Sequence, residues 1–156
     1  MRPTPPQKFL LLNEDLSRGA YPSPGAMRWL KDQGFRNLIY VGVGFPGRVE
    51  ARLAKEMALS FTHVPVPIVN HPGGNYFDPD AIECAYKLLQ ESADDGKGVY
   101  FFDDDGFSAV GFMTALFRKD HGWPTSSILE EFDWHSQNCA DSIVLSSLKT
   151  QIFKAL

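Results

Sequence analysis

Val99-Tyr100-Phe101-Phe102-Asp103-Asp104-Asp105-Gly106-Phe107-Ser108-Ala109-Val110-Gly111-Phe112-Met113-Thr114-Ala115-Leu116-Phe117 is the stretch on which the reading of this chain turns. Val99 to Phe102 are apolar and predict a short buried strand. Asp103, Asp104, Asp105 and Gly106 predict a tight turn. From Phe107 onward the apolar residues recur at helical spacing. Strand, glycine-containing turn and helix together aim the first unpartnered helix amides at the turn, an arrangement that attracts anions. Yet the turn carries carboxylates, where an anion site wants neutral or basic groups.

Working outward, residues 8–12 predict a strand and 16–21 a second strand able to pair back on it. Ser23 and Pro24 predict a helix start, with Met27, Trp29 and Leu30 along the helix and Gly34 ending it. Residues 37–43 predict a buried strand, 48–59 a helix with Val49, Leu53 and Met57 on one stripe, and 60–67 a further strand. Residues 68–77 are rich in Gly, Pro and Asn and predict a loop. Asp78 and Pro79 then cap a helix that turns Ile82, Ala85, Tyr86 and Leu89 inward. Two helices, over 126–137 and 142–153, follow the central one. Strands alternating with helices predict a three-layer α/β fold: a mostly parallel sheet of four or five strands with helices on both faces. Ligands of such sheets sit at the carboxyl ends of the strands, where residues 103–109 and the 68–77 segment both fall. Residues 1–7 are Pro-rich and are expected to form a disordered arm, leaving 8–156 as a single domain.

Composition narrows the function classes. A chain of 156 residues with 44% hydrophobic content can bury a core of its own. A formal net charge of −4 argues against a nucleic-acid footprint. No apolar run approaches the ~20 residues of a membrane span, and the N-terminal residues show no apolar leader, so a cytoplasmic protein without membrane partners is expected. Cys84 and Cys139 form no metal-ligand pattern and are expected to be reduced, buried thiols. No cofactor is expected.

The order of elements resembles a known family. Leu16-Ser-Arg-Gly-Ala-Tyr-Pro-Ser-Pro-Gly, Trp29-Leu-Lys-Asp-Gln-Gly-Phe-Arg-Asn-Leu-Ile, Phe61-Thr-His-Val-Pro-Val-Pro, Gly122-Trp123-Pro124-Thr125 and Glu130-Glu131-Phe132 are similar to pieces of the small bacterial dual-specificity phosphatases, within the cysteine-dependent tyrosine phosphatase superfamily. The resemblance implies a phosphatase-like fold with a His-Cys-x-x-Gly-x-x-Arg-Thr-Gly loop between strand and helix. It implies a thiolate nucleophile stabilised by the helix start, an Arg gripping phosphate oxygens and a separate Asp as general acid.

Placing Gly106 and Gly111 on the two glycines of that loop sets Phe102 at the His position, Asp103 at the Cys, Ala109 at the Arg and Val110 at the Thr. The region of the acid holds no Asp; Asn70 is the nearest polar residue and cannot donate as an acid does. Asp103 is a poor nucleophile toward a phosphate ester, since like charges ~4 Å apart repel by several kcal/mol in a partly buried site. Its carboxylate can instead take the helix amides itself, standing in for the missing phosphate. The expectation is a catalytically inactive phosphatase-like protein, binding a protein or small-molecule partner through Asp103, Asp104, Asp105, Gly106, Phe107, Ser108, Ala109 and His71. The alternative is a hydrolase of altered chemistry that uses Asp103 or a metal held by Asp103 to Asp105. A plain solvated acidic turn is the third reading.

Several other side chains are weighed for function. Arg18 and Arg48 are candidate basic groups beside the acidic turn, read first as solvated surface arginines. His63, His71, His121 and His135 lack metal spacing, and the last two are expected to be exposed. Ser108 lacks an evident base. Phe102 and Phe107 are expected in the core; turned into the cleft, they would make an apolar pocket with an acidic floor, suited to a cationic or neutral partner. Trp123 and Trp134 are expected to pack in the core or at a hinge.

Overall fold

A computed structural model of the chain describes residues 2–72, 74–136 and 142–156, without the side chains of His71 and residues 142–146. Five strands form one sheet in the order β1-β2-β7-β3-β4. These are β1 (Leu10–Leu11), β2 (Leu16–Ala20), β3 (Asn37–Tyr40), β4 (Ser60–His63) and β7 (Val99–Asp103). Only β1 runs antiparallel; β2, β3 and β4 join β7 in a parallel set. The intervening segment is a hairpin of β5 (Ile68–His71) and β6 (Gly74–Phe77). It replaces the loop read from composition, because two short antiparallel strands need only a tight Gly-containing connection and tolerate polar residues along a solvent-facing pair.

Alternation along the strands sorts side chains between two cores. Leu38, Tyr40, Tyr100 and Phe102 point to one face, against Met27 and Leu30 of α1 (Pro24–Asp32) and Ala54 of α2 (Arg48–Glu56). Ile39, Val41, Val99 and Phe101 point to the other. There they meet α3 (Pro79–Ala93), α4 (Ala109–Asp120), α5 (Thr125–His135) and α6 (Ser142–Ala155). The three-layer α/β architecture read from the sequence is therefore present. Ser23 caps α1 by accepting from the Ala26 amide, and Asp78 caps α3 by accepting from the Asp80 amide.

Some placements differ from the sequence reading. Val49 is 68% exposed, because α2 packs through Ala54 and its first turn lies outside the core. Trp134 is 69% exposed on α5. Trp123 lies under the Arg118 guanidinium, 4.1 Å from its ring centre, where a cation satisfies the ring face. Cys84 is exposed on the outer face of α3; Cys139 lies outside the described residues. His135 is half-buried beside Arg18 and Arg118, and burial pushes its pKa down. Pro6 is buried and the Gln7 carbonyl accepts the Ala20 amide. Among the described residues no helix is long and apolar enough to cross a membrane.

Candidate functional site

The strand β7 ends at Asp103 and α4 begins at Ala109, so residues 104–108 form the loop. By alternation with Phe102, the Asp103 side chain points toward α4. Its Oδ1 accepts the Gly106 N–H at 2.6 Å and its Oδ2 the Val110 N–H at 3.2 Å. Asp105 turns back the same way: Oδ1 accepts the N–H groups of Phe107 at 2.9 Å and Ser108 at 3.0 Å, and Oδ2 accepts the Ser108 hydroxyl at 2.6 Å. Four amides at the start of α4 thus end on two carboxylates of the chain itself. An external anion would need those same donors. Gly106 has φ +78°, and a Cβ there would stand 3.0 Å from the backbone nitrogen and the Cβ of Ala20. Backbone conformation and the close approach of β2 both demand glycine.

Burial raises the Asp103 pKa to about 7, helped by the neighbouring charge of Asp105; the amides of Val110 and Gly106 pull it down but do not win. Asp104 points away, and its Oδ1 accepts the Tyr40 hydroxyl at 2.6 Å. Burial foremost, and this bond next, hold the Tyr40 phenol well above its ordinary pKa.

Arg18 corrects the sequence reading most sharply. It is 1% exposed rather than solvated. From β2 its guanidinium donates to the Gly106 carbonyl at 2.8 Å and to the Thr114 hydroxyl at 3.1 Å, while its Nε is buried without a partner. Burial lowers its pKa, and the charge of Asp103 works against that. A lone Arg in Leu-Ser-Arg-Gly-Ala carries no periodic signal, so sequence alone could not place it under the loop. Lys8 braces the loop from outside, donating to the Asp105 carbonyl at 2.9 Å with its ammonium 4.7 Å from the centre of the Phe107 ring.

Asp103, Asp104, Asp105, Ser108 and Ala109 line one cavity of about 160 Å³ at the carboxyl ends of the strands. Its other wall is apolar: Val41, Val43, Val66, Ile68 and Phe77, with Gly42. These wall residues were not singled out in the sequence, although Val41 and Val43 continue the apolar run of β3. Phe102 faces the opposite core, stacked between Tyr40 and Tyr100, and Phe107 lies half-buried beneath Lys8; neither lines the cavity. Val110 is buried in the core. Asn70 is exposed on the hairpin, paired with Asn75, away from the cavity wall. The backbone of His71 ends β5; its side chain lies outside the described residues. The Asp103 and Asp105 carboxyls lie side by side, while Asp104 turns away to Tyr40, so the three do not converge on one point. Each carboxylate bonds a different partner, and among the described residues no group of three or more His, Cys, Asp or Glu side chains is arranged to hold a metal.

No family model matches the chain, and no curated protein does. Solved structures do match. The core catalytic domain of PP-IP phosphatase SIW14 from S. cerevisiae, in complex with citrate, superposes with a TM-score of 0.78 at 13% identity over 94% of this chain and 86% of that one. P. aeruginosa TpbA superposes with a TM-score of 0.71 at 15% identity over 95% and 84% of the two chains. Tk-PTP in its active form gives 0.69 at 11% identity over 95% and 97%. The chain shares the fold of these phosphatase structures.

Within this phosphatase fold, the two loop glycines have geometric reasons to be present. Gly106 meets Ala20, as above. A Cβ on Gly111 would stand 2.9 Å from the Phe132 ring, so glycine lets α4 lie close against α5. The phosphatase scaffold is intact around a loop whose carboxylates have claimed its amides.

Proposed function

We propose that this chain is a catalytically inactive phosphatase-like protein that binds a partner through the loop cleft. The observation that carries this reading is the pairing of Asp103 and Asp105 with the amides of Gly106, Phe107, Ser108 and Val110. In the register set by Gly106 and Gly111, Asp103 occupies the nucleophile position, Ala109 the phosphate-gripping Arg position and Val110 the Thr position. The Asp103 and Asp105 carboxyls occupy the amides a phosphoester would need, and no thiolate or guanidinium stands at the two positions that would receive it. Arg18, the one guanidinium donating to the loop among the described residues, spends its bonds on Gly106 and Thr114. Asn70 stands in the acid's region of the sequence and faces solvent.

The same geometry weighs against Asp103 as a substitute nucleophile, since both its oxygens already accept amides. The test is hydrolysis of p-nitrophenyl phosphate by the purified full chain. No turnover above buffer is expected; turnover abolished by Asp103→Ala would overturn the reading. The reading carries with it a cytoplasmic setting, which cell fractionation checks.

A further inference from the structure

The cavity beside the loop is small, apolar on one wall and acidic on its floor. At about 160 Å³ it falls below the ~300–1,000 Å³ of ordinary small-molecule pockets. It has room for the end of one side chain rather than for a whole ligand. Around it the surface is unusually apolar. Val43 is 56% exposed, Phe45 94% and Ile68 39%. Phe45 stands beside the His63 ring, which stacks on Tyr40, whose hydroxyl reaches Asp104. The exposed ring and the acidic floor are therefore joined through two aromatic neighbours.

Exposed apolar side chains beside a small pocket are the arrangement that protein interfaces use around an anchoring side chain. Charge selects the anchor. The cavity lining includes three aspartates and, among the described residues, no Lys or Arg. Of these, Asp104 keeps its Oδ2 free of any partner among the described residues. The amides that would have favoured an anion are already occupied. Arg18 and Lys8, the two cations that donate to the loop, are held by its own carbonyls.

Resting on the binding-module reading above, we infer that the cleft docks a protein segment that inserts one Arg or Lys side chain toward Asp104 and lays flanking apolar residues on Val43, Phe45 and Ile68. A partner anchored by phosphate is disfavoured by the same charges.

The test uses the ¹⁵N-labelled full chain titrated with acetyl-Gly-Leu-Arg-Leu-Gly-amide, with the same peptide carrying citrulline, a neutral isostere, in place of arginine, and with inorganic phosphate. The arginine peptide is expected to shift the amides of residues 43–45, 68 and 103–108 saturably below about 10 mM. The citrulline peptide, or Asp104→Asn with the arginine peptide, should bind about threefold weaker or worse. Phe45→Ser should weaken both peptides alike while leaving the spectrum folded. Equal binding of arginine and citrulline peptides, no saturable shift by about 10 mM, or a guanidinium salt matching the peptide would overturn the inference. So would self-association of the chain through this face, seen as concentration-dependent line broadening. Phosphate shifting the loop amides more strongly than the arginine peptide would do the same. A p-nitrophenyl phosphate assay on the same sample separates the two readings. Turnover removes the inactive-module reading, whereas silence together with indifference to arginine removes only this inference.

Discussion

The Arg18 guanidinium donates to the carbonyl of Gly106 at 2.8 Å, across 88 residues of sequence. The strand β2 thus holds the floor of a loop that follows its neighbour β7. Arg18 is also bonded to Thr114 and otherwise closed off from water. Arg18→Ala leaves a void, an orphaned carbonyl and an unscreened Asp103. It is expected to destabilise the fold by about 3 kcal/mol or more. Arg18→Met, which fills the space without a charge, should cost clearly less. Urea midpoints of the two variants check the order.

The Asp103 carboxyl titrates near 7 in the folded chain and near the ordinary carboxylate value when unfolded. Between those values the folded state holds a proton that the unfolded state has released. Stability therefore falls as pH rises from about 4 to about 7, by at most ~1.4 kcal/mol per pH unit from this group, and levels off above. His135, whose pKa is lowered by burial, acts with the opposite sign near its own titration. The difference between wild type and Asp103→Asn isolates the first effect. Whatever the Asn amide costs against the Gly106 and Val110 N–H groups, wild type should lose stability relative to the variant as pH rises from about 5 to about 8.

Gly106→Ala places a Cβ on a left-handed backbone and against Ala20. A loss of ~1–2 kcal/mol from the backbone alone is expected, with more from the contact. Thermal unfolding measures it. Gly96→Ala is the control: it shares a positive φ but has open space around the added carbon.

Restoring a thiol and a guanidinium together, as Asp103→Cys with Ala109→Arg, is expected to give weak or no hydrolysis of p-nitrophenyl phosphate. The double variant still lacks a general acid, because Asn70 lies exposed on the hairpin. Ala109 is also buried at 3% exposure, so a long side chain must displace the cavity wall to reach a phosphate. Single-turnover rates of the double variant, with and without Asn70→Asp, check both limits.

Much of this was readable in the sequence because period and punctuation agreed. The run Val99–Phe102 followed by Gly106 gave a strand, turn and helix that the structure reproduces. Ser23-Pro24 and Asp78-Pro79 gave both helix starts. The amide-capturing role of Asp103 followed from where a carboxylate stands relative to a helix start. What escaped was non-local. Arg18 looks like any strand arginine until Thr114 is folded over it. The 68–77 segment has loop composition because a two-stranded hairpin exposes much of its surface and needs few β-branched residues. Val49 reads as part of an apolar helix stripe and lies outside the core, which only the packing of α2 decides.

The bond from Arg18 to Gly106 also orders events in time. As the chain leaves the ribosome, the loop cannot close onto its floor until residue 114 has emerged, nearly a hundred residues after its anchor. Contacts of such long span form late, since their chain-closure entropy must be met before they reward the fold. The cleft is thus expected to be the last part of the domain to mature. Its Gly106 amide, held by the Asp103 carboxyl rather than by a strand ladder, should then exchange through opening of the loop, ahead of the amides of the central strands.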